Sequence, residues 1–242
     1  MELPVSEKVN RRDVLSLGLV AGAAFLLAGC QTSPRGTRRP LPKRGESSVL
    51  AGSKGASKYP TPQPPQTAVA APGGVISRRE WAMADTIVPR TNPMGRIDRI
   101  TVHHDGMPPV WLNSRSDIAS RIEVIRRAHV NNGWADIGYH YIIDPQGNVW
   151  EGRPVRYQGA HVKIANERNL GVLVLGNFVE QRPTLSATTA LDRFVAVQMR
   201  QYGVPLSRVH THQELSPTQC PGPNLQRYME ETRSNRGWLA RA

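Results

Sequence analysis

The residues able to do chemistry fall in three stretches that lie far apart in the chain: Val102-His103-His104, Gly138-Tyr139-His140, and His210-Thr211-His212 followed by Thr218-Gln219-Cys220-Pro221-Gly222. Of the two cysteines, Cys30 sits in Leu27-Ala28-Gly29-Cys30, directly behind a segment of export-signal type, which leaves Cys220 without a partner to oxidise with. An exported chain that keeps a lone thiol either uses it or buries it as a small apolar side chain. Cys220 stands eight residues after His212. Two imidazoles and a thiolate around one zinc ion leave the fourth tetrahedral corner open, as in a catalytic rather than a structural site. Spacing alone does not single out the ligands. His103 and His104 point to opposite faces of an extended segment, whereas His210 and His212 share one, so several histidine sets satisfy the pattern.

These residues need rigid elements to hold them. The β-formers Ile100, Thr101 and Val102 predict a strand over Ile97 to His103. Ser114 and Asp117 have capping-box spacing, and Ile118, Ile122 and Ile125 form the stripe of a helix from Ser114 to Asn132, stopped by Gly133. A second strand is expected from Tyr139 to Ile143, turning at Asp144-Pro145-Gln146-Gly147 into a hairpin return at Val149-Trp150. Leu170 to Leu175 is an almost unbroken apolar run, as in a strand buried on both faces. A helix from Ser186 to Tyr202 ends at Gly203, and a short strand near Val209 delivers His210 and His212. Strands alternating with helices predict an α/β fold, a mixed sheet covered by helices.

The first 30 residues read as a signal of twin-arginine type: Arg11-Arg12 precede a 15-residue apolar run from Val14 to Ala28, broken by Gly18 and Gly22. That run is shorter than the roughly 20 residues that span a bilayer. The box before Cys30 resembles that of bacterial lipoproteins, which implies lipid on the Cys30 sulfur and a membrane anchor; Gln31, not aspartate, follows it. The expected location is therefore the periplasm, with the outer membrane favoured over the inner. Residues 31–74 read as a linker rich in Pro, Ser and Gly, and within 31–72 seven basic residues face the single acid Glu46. Such a stretch cannot bury enough surface to fold. The linker holds half of the formal net charge of +12, and the charge suits anionic lipid or wall polymer or simple solvation. An exported chain is not expected to bind nucleic acid. Residues 75–242 make one domain, with no internal repeat and room for a real core, expected to act as a monomer.

From residue 76 to about 230 the chain resembles the peptidoglycan recognition protein and type 2 N-acetylmuramoyl-L-alanine amidase family, which includes phage lysozyme-type zinc amidases. The matching stretches are Ile76 to Trp81, Val102-His103-His104, Gly133 to Tyr141, Glu151-Gly152-Arg153, Gly159-Ala160-His161, Asn166 to Gly171 and His212 to Gly222, in matching order and spacing. The resemblance implies a mixed sheet of five or six strands with helices on both sides. It also implies zinc held by His103, His212 and Cys220, with water at the fourth position and hydrolysis of the amide between N-acetylmuramic acid and L-alanine in peptidoglycan. Tyr139 matches the family's catalytic tyrosine, and Thr218 takes a position assigned to oxyanion assistance. His104, Trp134, Arg153, His161 and Asn166 are implied to line the substrate groove.

Two departures from the family matter. Leu173 stands where a subgroup that trims anhydro-muropeptides carries a glutamate, which favours tyrosine-type machinery acting on wall polymer. Pro154-Val155 matches neither pairing associated with diaminopimelate or lysine, so the third stem residue stays open. His129 reads as a packed or ligand-supporting histidine, and His140, His210, Trp150 and Trp238 as packing. A structural zinc site would need a fourth protein ligand, for which His210 and His104 are the candidates. A wall-binding module without turnover is the competing function, but relatives of that kind typically carry serine in place of the cysteine.

Overall fold

The computed structural model describes residues 74–109 and 112–242; the expected signal segment, most of the linker and Cys30 lie outside the described residues. Six strands, β1 (Val75–Ile76), β2 (Arg99–His104), β3 (Tyr141–Ile143), β4 (Val149–Glu151), β5 (Asn169–Val174) and β6 (Val209–Thr211), form one sheet in the order β1-β4-β3-β5-β2-β6. Only β3 and β4 pair antiparallel, as the Asp144 to Gly147 turn requires, and the other pairings are parallel. All six residues of β5 are buried, in keeping with the apolar run that marks it as a central strand.

Three helices cover the sheet. Helix α1 (Arg115–Asn131) starts at Ser114, whose hydroxyl accepts from the Asp117 N–H while the Asp117 carboxylate accepts from the Ser114 N–H. Its Ile118, Ile122 and Ile125 pack with Ile142, Trp150 and Leu173 on one face of the sheet. Helix α2 (Leu185–Tyr202) is capped by the Thr184 hydroxyl and ends at Gly203 in the left-handed region. With α3 (Pro223–Arg233) it covers the other face, where Ile100, Val102, Leu170 and Val172 meet Leu191, Phe194, Leu225 and Met229. The expected α/β architecture, a mixed sheet with helices on both sides, is the one observed.

Two strand boundaries differ from the sequence reading. The strand expected at Ile97 begins at Arg99 and runs on to His104, because Asp98 is tied into a loop: its N–H donates to the Arg168 carbonyl and its carboxylate receives Arg168 and Arg208. Tyr139 and His140 precede β3 rather than belonging to it. The Tyr139 carbonyl accepts from the Arg153 N–H and that of His140 from the Gly152 N–H, while the His140 N–H donates to Gly171. Tyr139 is thus fastened to the sheet rim without the alternation of a regular strand.

Candidate metal centre

Parallel pairing brings two of the segments that carry candidate ligands together. In the β2–β6 register Val102 lies opposite Thr211, so the next residues along, His103 and His212, leave the same edge of the sheet side by side. This is the C-terminal end of the strands, where open α/β sheets place their sites. Their rings lie 4.7 Å apart between centroids. His212 opens a single helical turn, His212–Glu214, fixed from behind by Glu214, whose carboxylate accepts from the Thr211 N–H at 2.9 Å, Gln226 Nε2 at 2.9 Å and Arg233 Nη2 at 2.6 Å. Burial raises the Glu214 pKa, but these donors outweigh it and draw the carboxyl down to about 2.

Cys220 comes from the loop that follows. The Gln213 N–H donates to the Cys220 carbonyl at 2.9 Å, tying that loop to the His212 turn, and the Cys220 N–H donates to Thr218 Oγ1 at 3.2 Å. The sulfur accepts from the His104 N–H at 3.4 Å and lies 3.6 Å from His103 Nδ1. One donor atom each from His103, His212 and Cys220 falls within 4.8 Å of the others, and among the described residues this trio is the grouping able to hold a metal ion.

The electrostatics suit neutral ligands. Burial, helped by neighbouring His161 and His212, holds the His103 imidazole well below its ordinary 6.5. Burial lowers His212 as well. Both rings therefore keep a free lone pair at neutral pH. Without a cation, burial pushes the Cys220 thiol up to about 12, opposed by the His104 N–H. Two neutral imidazoles and a thiol that a cation would deprotonate match zinc's preferred donors.

Tyr139 lies against this trio, its ring centroid 5.1 Å from that of His103. Burial, then the nearby Cys220 and Asp105, raises its pKa well above 10, so the phenol stays a proton donor. His129 packs between Tyr139 and Trp134 at centroid distances of 5.7 and 4.4 Å, and its Nδ1 accepts from the Gly138 N–H at 3.0 Å. This supporting position agrees with the reading of His129 as a packed histidine.

Beyond Trp134 opens a cavity of about 490 Å³, lined among others by Arg90, Trp134, Arg153, Lys163, Ile164 and Asn166. Three residues expected in the groove are therefore together. Trp134 is 37% exposed and Ile164 is 95% exposed, giving the cavity an apolar rim between cations. Arg153 spends three of its N–H groups on the carbonyls of Ile137, Gln158 and Asp136, and Asn166 braces its loop by accepting from the His161 and Val162 N–H groups.

The other two groove expectations fall elsewhere. His104 is buried on the opposite face of β2 from His103, with its ring beside Phe178 and its Nδ1 accepting from the Phe178 N–H at 3.2 Å. His161 is buried beneath His103, Nδ1 to Nε2 at 2.9 Å. Strand alternation carries the first away from the groove, and room left by two glycines admits the second. His210 leans toward Glu214, at 3.8 Å, so neither candidate for a fourth ligand joins the trio. The sequence reading gave no role to Glu214, although Thr211 and Glu214 have the spacing of a capping box and could have signalled it.

A protein family described as N-acetylmuramoyl-L-alanine amidase (Amidase_2) matches residues 93–223. The chain belongs to this amidase family. It is 26% identical over 168 residues to peptidoglycan-recognition protein SC2 of Drosophila melanogaster, covering 69% of this chain and 88% of that protein. It is 32% identical over 127 residues to the N-acetylmuramoyl-L-alanine amidase of Homo sapiens, covering 51% of this chain and 22% of the human protein. Among solved structures it resembles the ectodomain complex of peptidoglycan recognition proteins LCa and LCx bound to tracheal cytotoxin, with a TM-score of 0.59, 25% identity and coverage of 65% of this chain and 95% of the other. Tracheal cytotoxin is a monomeric diaminopimelic acid-type peptidoglycan. The Amidase_2 match covers His103, His212, Cys220 and every residue that lines the cavity except Arg90 and Asn92.

Proposed function

We propose that this member of the amidase family is a zinc-dependent N-acetylmuramoyl-L-alanine amidase, cutting the amide between N-acetylmuramic acid and the L-alanine of peptidoglycan. The supporting observation is the convergence of His103, His212 and Cys220 beside the half-buried phenol of Tyr139. Zinc held by those three residues would supply a Lewis acid and an activated water. The Tyr139 phenol donates a hydrogen bond to the oxygen that gains negative charge as the amide carbonyl is attacked. Burial aids this role by keeping the proton on the phenol. Leu173, paired with His103 across β2 and β5 and fully buried, offers no carboxylate at this position, which leaves the Tyr139 phenol as the charge-stabilising donor. Thr218 is exposed, and its hydroxyl braces the Cys220 N–H.

Trp134 and Ile164 supply apolar contact for the sugar and alanine, while Arg90 and Lys163 face the carboxylates of a stem peptide. The N-terminal segment carries the enzyme out of the cytoplasm and anchors it through lipid on Cys30, and the basic linker lets the domain reach the wall. Purified residues 73–242, loaded with zinc, should release soluble stem peptides with new L-alanine amino termini from isolated wall, and a chelator should stop the release. Wall binding without new amino termini would make the protein a recognition module instead.

A further inference from the structure

We propose that His161 is a positioning residue that dictates which nitrogen His103 offers to the metal; the inference rests on the metal-centre reading above. A main-chain carbonyl can only accept a hydrogen bond. His161 Nε2 lies 3.1 Å from the Asn169 carbonyl oxygen, so Nε2 carries the proton. A buried neutral imidazole then has a bare Nδ1, and this atom faces His103 Nε2 at 2.9 Å. His103 must therefore donate from Nε2, which leaves its Nδ1 unprotonated on the side of Cys220, 3.6 Å from the sulfur. One main-chain carbonyl thus sets the tautomer of two rings in series. A ligating histidine ordinarily donates its other N–H to a carboxylate, carbonyl or water, which fixes the ring and raises its basicity. Here a second imidazole is interposed.

The surroundings hold this relay in place. Asn169 is fixed at both ends of its amide: Oδ1 accepts from Thr101 Oγ1 at 2.9 Å, and Nδ2 donates to the Ala165 carbonyl at 2.7 Å. Gly171 and Gly159 leave the space the His161 ring occupies. A Cβ at Gly171 would come within 2.7 Å of that ring, and one at Gly159 would overlap it. The neighbouring His140 is locked in the same way, donating from Nε2 to the Tyr157 carbonyl at 3.1 Å and accepting from the Gly171 N–H at 2.9 Å. With 6% of its surface exposed, His161 acts through His103 and not on the groove.

Nitrogen-15 NMR of the metal-free wild-type chain reads the tautomers directly. Both His103 and His161 are expected with the proton on Nε2; a proton on His103 Nδ1 overturns the proposal, whatever the behaviour of variants. Zinc affinity, by competition with a chromophoric chelator, gives the second readout. His161→Phe fills the space but accepts nothing, and is expected to lose about 10–100-fold in affinity. His161→Asn can place an amide oxygen where Nδ1 sits, and is expected to recover most of that loss. Equal affinity in wild type and His161→Phe, or the same loss in both variants, overturns the inference. If the wild-type chain shows the expected tautomers and binds no zinc, the metal reading fails while the hydrogen-bond relay stands.

Discussion

Zinc uptake by the His103–His212–Cys220 centre should release fewer protons per ion at pH 6.0 than free histidines and a thiol would, and that difference follows from burial. Both histidines are held below 6.5 by burial, so each gives up less than an imidazole of ordinary pKa. The half-buried thiol, its pKa pushed up to about 12 before the cation arrives, is protonated and must lose its proton to ligate. Two imidazoles of ordinary pKa would each be about three-quarters protonated at pH 6.0, and with the thiol the count would approach ~2.5. Isothermal titration of zinc into the metal-free domain, in two buffers of different ionisation enthalpy, separates these cases. Above the histidine range, where only the thiol proton leaves, apparent affinity should rise about tenfold per pH unit, or about 1.4 kcal/mol. Cys220→Ser should bind far more weakly and lose that dependence. A release of two or more protons would mean that the histidines are charged in the free protein, and a release near zero would remove Cys220 from the ligand set.

Tyr139→Phe should lower turnover about 100–1000-fold while leaving zinc affinity unchanged, as expected of a lost oxyanion donor; a small effect, checked by steady-state release of stem peptide, would place the charge stabilisation elsewhere. Glu214 has its pKa drawn from 4.5 to about 2, so its contribution is present above the unfolded value and fades as pH falls toward 2. After discounting for its partial exposure, that contribution is on the order of 2 kcal/mol. Glu214→Gln should therefore narrow the stability gap to wild type on acidification from pH 6 to pH 3, measured by urea denaturation. Gly222→Ala should cost about 2–4 kcal/mol from an unfavourable backbone region and overpacking, since Gly222 sits at φ 82° and an added Cβ would press on the Phe178–Val179 backbone. Thermal denaturation showing a loss under 1 kcal/mol would contradict that estimate.

Much of the fold was legible because its punctuation is local. Ser114 with Asp117 sets the start of α1, Gly203 ends α2, and the buried run around Leu170 to Val174 declares a central strand. The residue types of the centre were legible too, since Cys220 lacked a cysteine partner and histidines preceded it. What could not be read was depth. His103 and His104 are neighbours with the same side chain, and only the sheet decides that one faces Tyr139 and the other Phe178. The place of His161 depends on Gly159, in a loop, and Gly171, in β5, both leaving room for its ring, and a sequence shows these only as two unexplained glycines. Tyr139 read as a strand residue because aromatic and β-branched neighbours follow it, yet its carbonyl is claimed by Arg153 before the strand begins.

The most direct measurement is mass spectrometry of wall treated with the zinc-loaded residue 73–242 domain, beside the chelated domain and Cys220→Ser. Free stem peptides beginning at L-alanine should appear with the loaded wild type alone. Intact glycan–peptide linkages after treatment with a domain that carries its zinc and binds wall would contradict the hydrolase.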